Sequence, residues 1–191
     1  MIPMRVLAGA FKGRRLVTPK GDRTRPTADQ VRIALLDTLM PWLPDANVLD
    51  LFAGAGGVGL EALSRGAAHA TFVERDPKAI AALRTNVETL GVRDATRVLR
   101  GDVHRELAHL HAEGARFMVI FLDPPYEADA VGPTLEQLGG GGLTLPNGVV
   151  IAQHLTKRAP AERIGALVQF RTRRFGETTL TFYRMTSGPL P

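Results

Sequence analysis

Apolar positions along the chain change their spacing in an ordered way. From Val31 they recur every three or four residues, at Ala34, Leu35 and Leu39, which predicts one face of an amphipathic helix. Thr27-x-x-Gln30 precedes that run as a capping box and Pro41 follows it, so the helix is predicted to start at Thr27 and to stop before Pro41. Upstream, residues 4–17 read as two short strands around Gly9 and Gly13, with a turn region at 19–26. From Asn47 onward short apolar runs alternate with helical patterns. The runs at 48–52, 70–74, 97–100, 117–122 and 149–153 predict strands. Helices are predicted at 59–65, at 104–113, at 130–138, and between Asp76-Pro77 and Gly91, where the cap, the proline at the first position and the terminal glycine mark both ends. Repeated βα units of this length predict a mostly parallel sheet with helices on both faces. Residues 167–175 and 178–185 alternate around Gly176-Glu177 and predict an antiparallel hairpin that completes a seven-stranded sheet. The expected organisation is α/β and compact: a small β-hairpin extension over 1–26 joined to one domain over 27–191.

Composition narrows the class. The chain has 191 residues, 45% hydrophobic and 23% charged, the balance of an ordinary globular domain. With no cysteine there is neither a disulfide framework nor thiolate chemistry. No apolar run approaches the roughly 20 residues of a membrane span, and no secretory pattern opens the chain, so a cytoplasmic monomer without membrane contact is expected. Charge changes the picture more. Of a net +5, residues 1–32 alone carry +6, from eight basic residues against Asp22 and Asp29. A concentrated basic segment implies a polyanion partner. Its candidate contacts are Arg5, Lys12, Arg14, Arg15, Arg23, Arg25, Thr27 and Arg32, with a smaller late group at Arg171, Arg173 and Arg174.

In such sheets ligands bind at the carboxyl ends of the strands. The first of these ends reads Asp50-Leu-Phe-Ala-Gly54-Ala-Gly56-Gly-Val-Gly59, a glycine fingerprint between a strand and a helix, where the backbone must turn tightly and admit a ligand. Glu74 ends the second strand, placed to accept from ribose hydroxyls, and Asp102 follows the third, placed to accept from an adenine amino group. The candidate cofactor residues are therefore Asp50, Phe52, Gly54, Gly56, Gly59, Glu74, Arg75, Asp102 and Val103. These features alone do not separate a nicotinamide cofactor from S-adenosylmethionine. Asp123-Pro124-Pro125-Tyr126, after the fourth strand, does. An exocyclic amine on a base has a delocalised lone pair and two N–H groups. The Asp123 carboxylate and the Pro124 carbonyl can accept one each, while proline adds no competing N–H. Asp123 can also stabilise positive charge developing on nitrogen, and Tyr126 offers a stacking face. The candidate catalytic set is Asp123, Pro124 and Tyr126. Five histidines without cysteine partners give no expected metal site; His109-x-His111 reads as a solvated helix end.

Asp-x-Phe-x-Gly-x-Gly followed by Asp-Pro-Pro-Tyr resembles the Rossmann-like class I amino methyltransferases of nucleic acids. Arg5-Val-Leu-Ala-Gly9, Lys12-Gly-Arg-Arg-Leu16, Arg25-Pro-Thr-Ala-Asp-Gln-Val-Arg32, Gly59-Leu-Glu-Ala-Leu-Ser-Arg-Gly66 and Phe175-Gly-Glu-Thr178 are similar to the bacterial 16S rRNA guanine-N2 methyltransferase family RsmD, over nearly the whole chain. The family's Arg-Pro-Thr block continues Asp-Arg-Val-Arg-Glu; here Gln30 and Ile33 replace an arginine and a glutamate, and Ala55 stands where serine is usual. The resemblance implies S-adenosylmethionine as donor, no metal, and a guanine of small-subunit rRNA, in the subunit or an assembly intermediate, as acceptor. A DNA or RNA adenine-N6 methyltransferase would use the same Asp-Pro-Pro-Tyr chemistry. DNA enzymes of that kind usually carry a target-recognition region for which this chain has little room. A nicotinamide oxidoreductase leaves Asp-Pro-Pro-Tyr unexplained, and a non-catalytic RNA-binding module leaves the intact acids unexplained.

Overall fold

The computed structural model describes residues 4–19, 26–125 and 129–186, apart from the side chains of 26–28. Its elements in chain order are α1 (Pro26–Leu39), β1 (Asn47–Leu51), α2 (Gly57–Ser64), β2 (His69–Glu74), α3 (Pro77–Leu90), β3 (Thr96–Arg100), α4 (Val103–Ala112), β4 (Phe117–Leu122), α5 (Val131–Gly139), β5 (Thr144–Leu155), β6 (Arg163–Ile164), β7 (Leu167–Phe175) and β8 (Thr178–Met185). The strands form one sheet in the order β3-β2-β1-β4-β5-β8-β7-β6. Pairing is parallel from β3 to β5 and antiparallel from β5 to β6. The order reverses at β1, where chain growth toward β3 gives way to growth toward β4. That switch point opens a crevice at the strands' carboxyl ends.

Among the described residues the sheet has eight strands, not the seven expected from sequence. The extra one, β6, is two residues long and too short for any periodicity to betray. The two arms of the N-terminal extension meet at one antiparallel bridge, Arg5 with Arg15, flanked by backbone hydrogen bonds from the Leu16 N–H to the Met4 carbonyl and from the Val6 N–H to the Arg14 carbonyl, a hairpin too short to count as two strands. It packs on the domain: Val6 and Leu16 are buried in the same apolar cluster as β1, β4 and β5. Helix α1 starts at Pro26, so Thr27 lies inside it and not at its cap. The capping-box side chain of Thr27 falls outside the described side chains.

Alternation along the strands separates two apolar layers. Val48, Phe72, Val119, Phe121 and Ile151 pack against α1, α2 and α3. Leu49, Leu51, Val73, Ile120, Leu122 and Val150 pack against α4 and α5. Asp50 and Asp123 fall on the α1 side by the same alternation. Both α3 and α4 begin at aspartate caps: Asp76 accepts from the Lys78 N–H at 3.1 Å, and Asp102 from the His104 and Arg105 N–H groups.

Candidate active site

One cavity of about 550 Å³ lies at the switch point. The ends of β1, β2 and β4, the start of α4, and two residues of the N-terminal segment, Met4 and Thr18, all line it. Of the sequence-derived cofactor residues it contains Asp50, Phe52, Gly54, Glu74, Arg75, Asp102 and Val103, and from the catalytic set Asp123 and Pro124. Tyr126 lies outside the described residues.

The loop after β1 is shaped by its neighbour strand. Glu74 accepts from the Gly54 N–H through one oxygen and from the Arg75 and Asp76 N–H groups through the other, each at 2.8 Å. Gly54 has a φ of +56° and no heavy atom within 4 Å of where a Cβ would stand, so its face to the cavity is open backbone. Phe52 holds φ 58° without being glycine, a strained conformation of the kind that concentrates at ligand sites. Gly56 and Gly59 do not line the cavity. A Cβ on Gly59 would stand 2.4 Å from the Phe72 ring and 3.2 Å from the Asp50 carboxylate. Gly56 likewise faces Leu83. Gly59 serves the packing of α2 onto the sheet and Gly56 the approach of α3, and the fingerprint spacing alone cannot tell those roles from ligand contact.

Two acids carry unusual electrostatics. Asp50 is 2% exposed and accepts from the Gly59 N–H at 2.8 Å. Burial pushes its carboxyl up to about 8 against that hydrogen bond, and the nearby Asp123 and Glu74 charges push the same way. Asp123, half-buried at the end of β4, is pushed up to about 7 by burial. Its Oδ2 accepts from Gln153 Nε2 on β5 at 3.1 Å. Sequence reasoning missed Gln153, which carries no motif; only the pairing of Leu122 with Ala152 brings it beside Asp123. Asp102 spends Oδ1 on the cap of α4, leaving Oδ2 unused there. Among the described residues, no group of three or more His, Asp or Glu side chains is placed to hold a metal ion.

The model of the family described as Conserved hypothetical protein 95 matches residues 4–184. Ribosomal RNA small subunit methyltransferase D of Escherichia coli K12 is 37% identical over 139 residues, 73% of this chain and 68% of that protein. The chain belongs to the RsmD family. The Bacillus subtilis protein YlbH is 37% identical over 181 residues, 95% of this chain and 98% of its own. Among solved structures, the Escherichia coli protein yhhF superposes with TM-score 0.85 at 30% identity over 96% of this chain and 98% of that one. A Thermus thermophilus protein does so at 0.80 and 35%, over 93% and 97%.

The geometry explains one RsmD block that has no part in the cavity. Within Gly59-Leu-Glu-Ala-Leu-Ser-Arg-Gly66, Glu61 accepts from the Leu7 and Ala8 N–H groups at 2.8 Å. Ser64 accepts from the Phe11 N–H and donates to the Ala8 carbonyl. Helix α2 is therefore the dock of the N-terminal segment. The segment's basic residues divide accordingly. Arg5, Lys12, Arg14 and Arg15 are exposed, although Arg14 also donates to the Thr89 carbonyl at the end of α3. Arg32 is not an open surface cation: it is 7% exposed, paired with Asp29 at 3.0 Å and donating to the Arg5 carbonyl at 2.8 Å. It lines the cavity from α1. Arg23 and Arg25 lie outside the described residues. In the late group, Arg173 binds the Ala34 carbonyl and the Thr38 hydroxyl, fastening α1 to β7.

Proposed function

We propose that this RsmD-family chain methylates the exocyclic N2 amine of a guanine in small-subunit rRNA, with S-adenosylmethionine as donor. The observation that carries the reading is that Asp123-Pro124 and the Gly54–Glu74 loop line one cavity. The relative's name, ribosomal RNA small subunit methyltransferase D, supports the rRNA acceptor. The residues fit the donor: open backbone at Gly54, acceptor oxygens on Glu74 for ribose hydroxyls, and a spare Asp102 oxygen for an adenine amino group. When bound, S-adenosylmethionine supplies an electrophilic methyl group on a sulfonium.

The chain's own residues supply orientation and charge. With Asp123 Oδ2 engaged by Gln153, Oδ1 and the Pro124 carbonyl remain to accept the two N–H groups of the amine. That geometry turns the nitrogen lone pair toward the methyl, and the ionised Asp123 stabilises the positive charge developing on nitrogen. Tyr126 supplies a face for the unstacked base. The small ribosomal subunit or an assembly intermediate presents that base, and Lys12 and Arg15 contact its phosphates.

The direct test transfers labelled methyl from S-adenosylmethionine to purified small subunits and identifies the nucleoside. N2-methylguanine is expected; N6-methyladenine would keep the chemistry and overturn the acceptor. Glu74→Ala is expected to weaken donor binding by about 1–3 kcal/mol, since a charge-assisted acceptor is lost and Gly54 is released. Unchanged affinity by calorimetry in a folded variant would remove Glu74 from the site. A Lys12→Ala/Arg15→Ala double variant is expected to flatten the slope of log affinity for rRNA against log salt by about one unit for each phosphate no longer neutralised. An unchanged slope would make these residues solvated charges only.

A further inference from the structure

The carboxylate at the centre of the site has one hydrogen-bond donor among the described residues. Leu122 of β4 pairs with Ala152 of β5, so the next residue on each strand, Asp123 and Gln153, stands side by side. Gln153 Nε2 lies 3.1 Å from Asp123 Oδ2, and both side chains line the cavity. The other charged groups facing that space are Asp50 from β1, Glu74 and Arg75 from the end of β2, Asp102 at the start of α4, and Asp29 and Arg32 from α1. Four of these are acids, and Arg32 spends Nη2 on Asp29 and the Arg5 carbonyl while its buried Nε has no partner among the described residues. An ionised carboxylate offers acceptors only, so the amide must present its NH₂ to Asp123 and turn its carbonyl away.

We propose that Gln153 is the positioning residue of Asp123, holding Oδ2 so that Oδ1 faces the target amine and the ionised carboxylate keeps a donor in an acidic cavity. This rests on the methyl-transfer reading for its purpose, but the link between the two side chains is testable without it. Gln153→Leu removes the donor from the charged form. The Asp123 titration then moves up by about one pH unit, and turnover falls about tenfold or more through lost orientation, while donor affinity stays within a few-fold. Gln153→Glu keeps the shape but sets a second acid beside the first, so the titration moves further up as the pair shares a proton.

The experiment follows the Asp123 carboxyl carbon by NMR through a pH titration in wild type, Gln153→Leu and Gln153→Glu. Asp123→Asn assigns the signal. Turnover on small subunits and thermal midpoints are measured alongside. Upward movement in both variants, with an acid limb of turnover that moves in step, is the expected result. An unmoved titration in Gln153→Leu overturns the proposal whatever the activity, and lost turnover with a lowered midpoint would then mark Gln153 as structural. If the titration moves but wild type methylates no rRNA, the positioning role stands and the functional reading fails.

Discussion

Asp123→Asn is expected to fold normally and to lose at least about two orders of magnitude in methyl transfer. The substitution keeps the shape but removes the charge that meets the developing positive nitrogen, a preorganised electrostatic contribution of about 3 kcal/mol or more. It also allows an amide donor to face the amine. The pH dependence has a definite sign. Burial holds the Asp123 carboxyl at about 7, so turnover on the ionised form falls tenfold per unit as pH drops below about 7. Stability runs the other way. An aspartate in the unfolded chain titrates near 4, and the folded values of Asp123 and Asp50 are raised to about 7 and about 8. The folded state therefore binds more protons across the interval from about 4 to about 8, and the protein loses stability as pH rises through it. Asp123→Asn removes its share and relieves Asp50, whose carboxyl the Asp123 charge pushes up. At pH 8 the inactive variant is expected to unfold later than wild type, by about 1–3 kcal/mol. Near-normal turnover, or a variant less stable at pH 8 than wild type, would contradict the role and the electrostatics respectively.

Glu61→Ala is expected to produce the largest loss of stability. Glu61 is 1% exposed, and its two oxygens serve the Leu7 and Ala8 N–H groups, with Arg65 Nε at 3.2 Å. Removing them leaves two part-buried backbone donors and a guanidinium nitrogen short of partners. Breaking one side of such an arrangement costs about 3–5 kcal/mol. For a domain of this size that lowers the thermal midpoint by roughly 10 °C. Glu61→Gln, which keeps one acceptor, loses less. Limited proteolysis separates a local from a global effect: cleavage should appear first between residues 4 and 18, because Glu61 holds that segment. A midpoint within a degree of wild type would show the segment to be held by Val6 and Leu16 alone.

Strands that are apolar on both faces or alternate cleanly announced themselves in the sequence. Phe117–Leu122, Leu167–Phe175 and Thr178–Met185 appear with the bounds expected from the pattern. The start of β5 did not, because Pro146-Asn147-Gly148 reads as a turn, and Asn147 indeed has φ 64°. The strand runs through it from Thr144, with its register to β4 shifted there. Residues at the cavity were legible where a motif ends a strand, as at Gly54, Glu74 and Asp123. The same rule misplaced Gly59, because a close approach to a ring and a close approach to a ligand demand the same residue. Charge counting misplaced Arg32, since a buried guanidinium and an exposed one look alike in sequence. Glu61 and Gln153 act through partners 54 and 30 residues away, a distance at which no local pattern carries information.

Asn86 on α3 gives the cavity wall a collective character. Its oxygen accepts from the Val17 N–H at 2.7 Å, and its nitrogen donates to the Val17 carbonyl at 2.9 Å and the Ala55 carbonyl at 3.0 Å. One buried amide thus ties the end of the basic segment to the glycine loop. Neither can leave Asn86 without stranding a polar group. The two are therefore expected to open as one cooperative unit, so that exchange of the Val17 amide proton would follow the opening of the loop 38 residues further on.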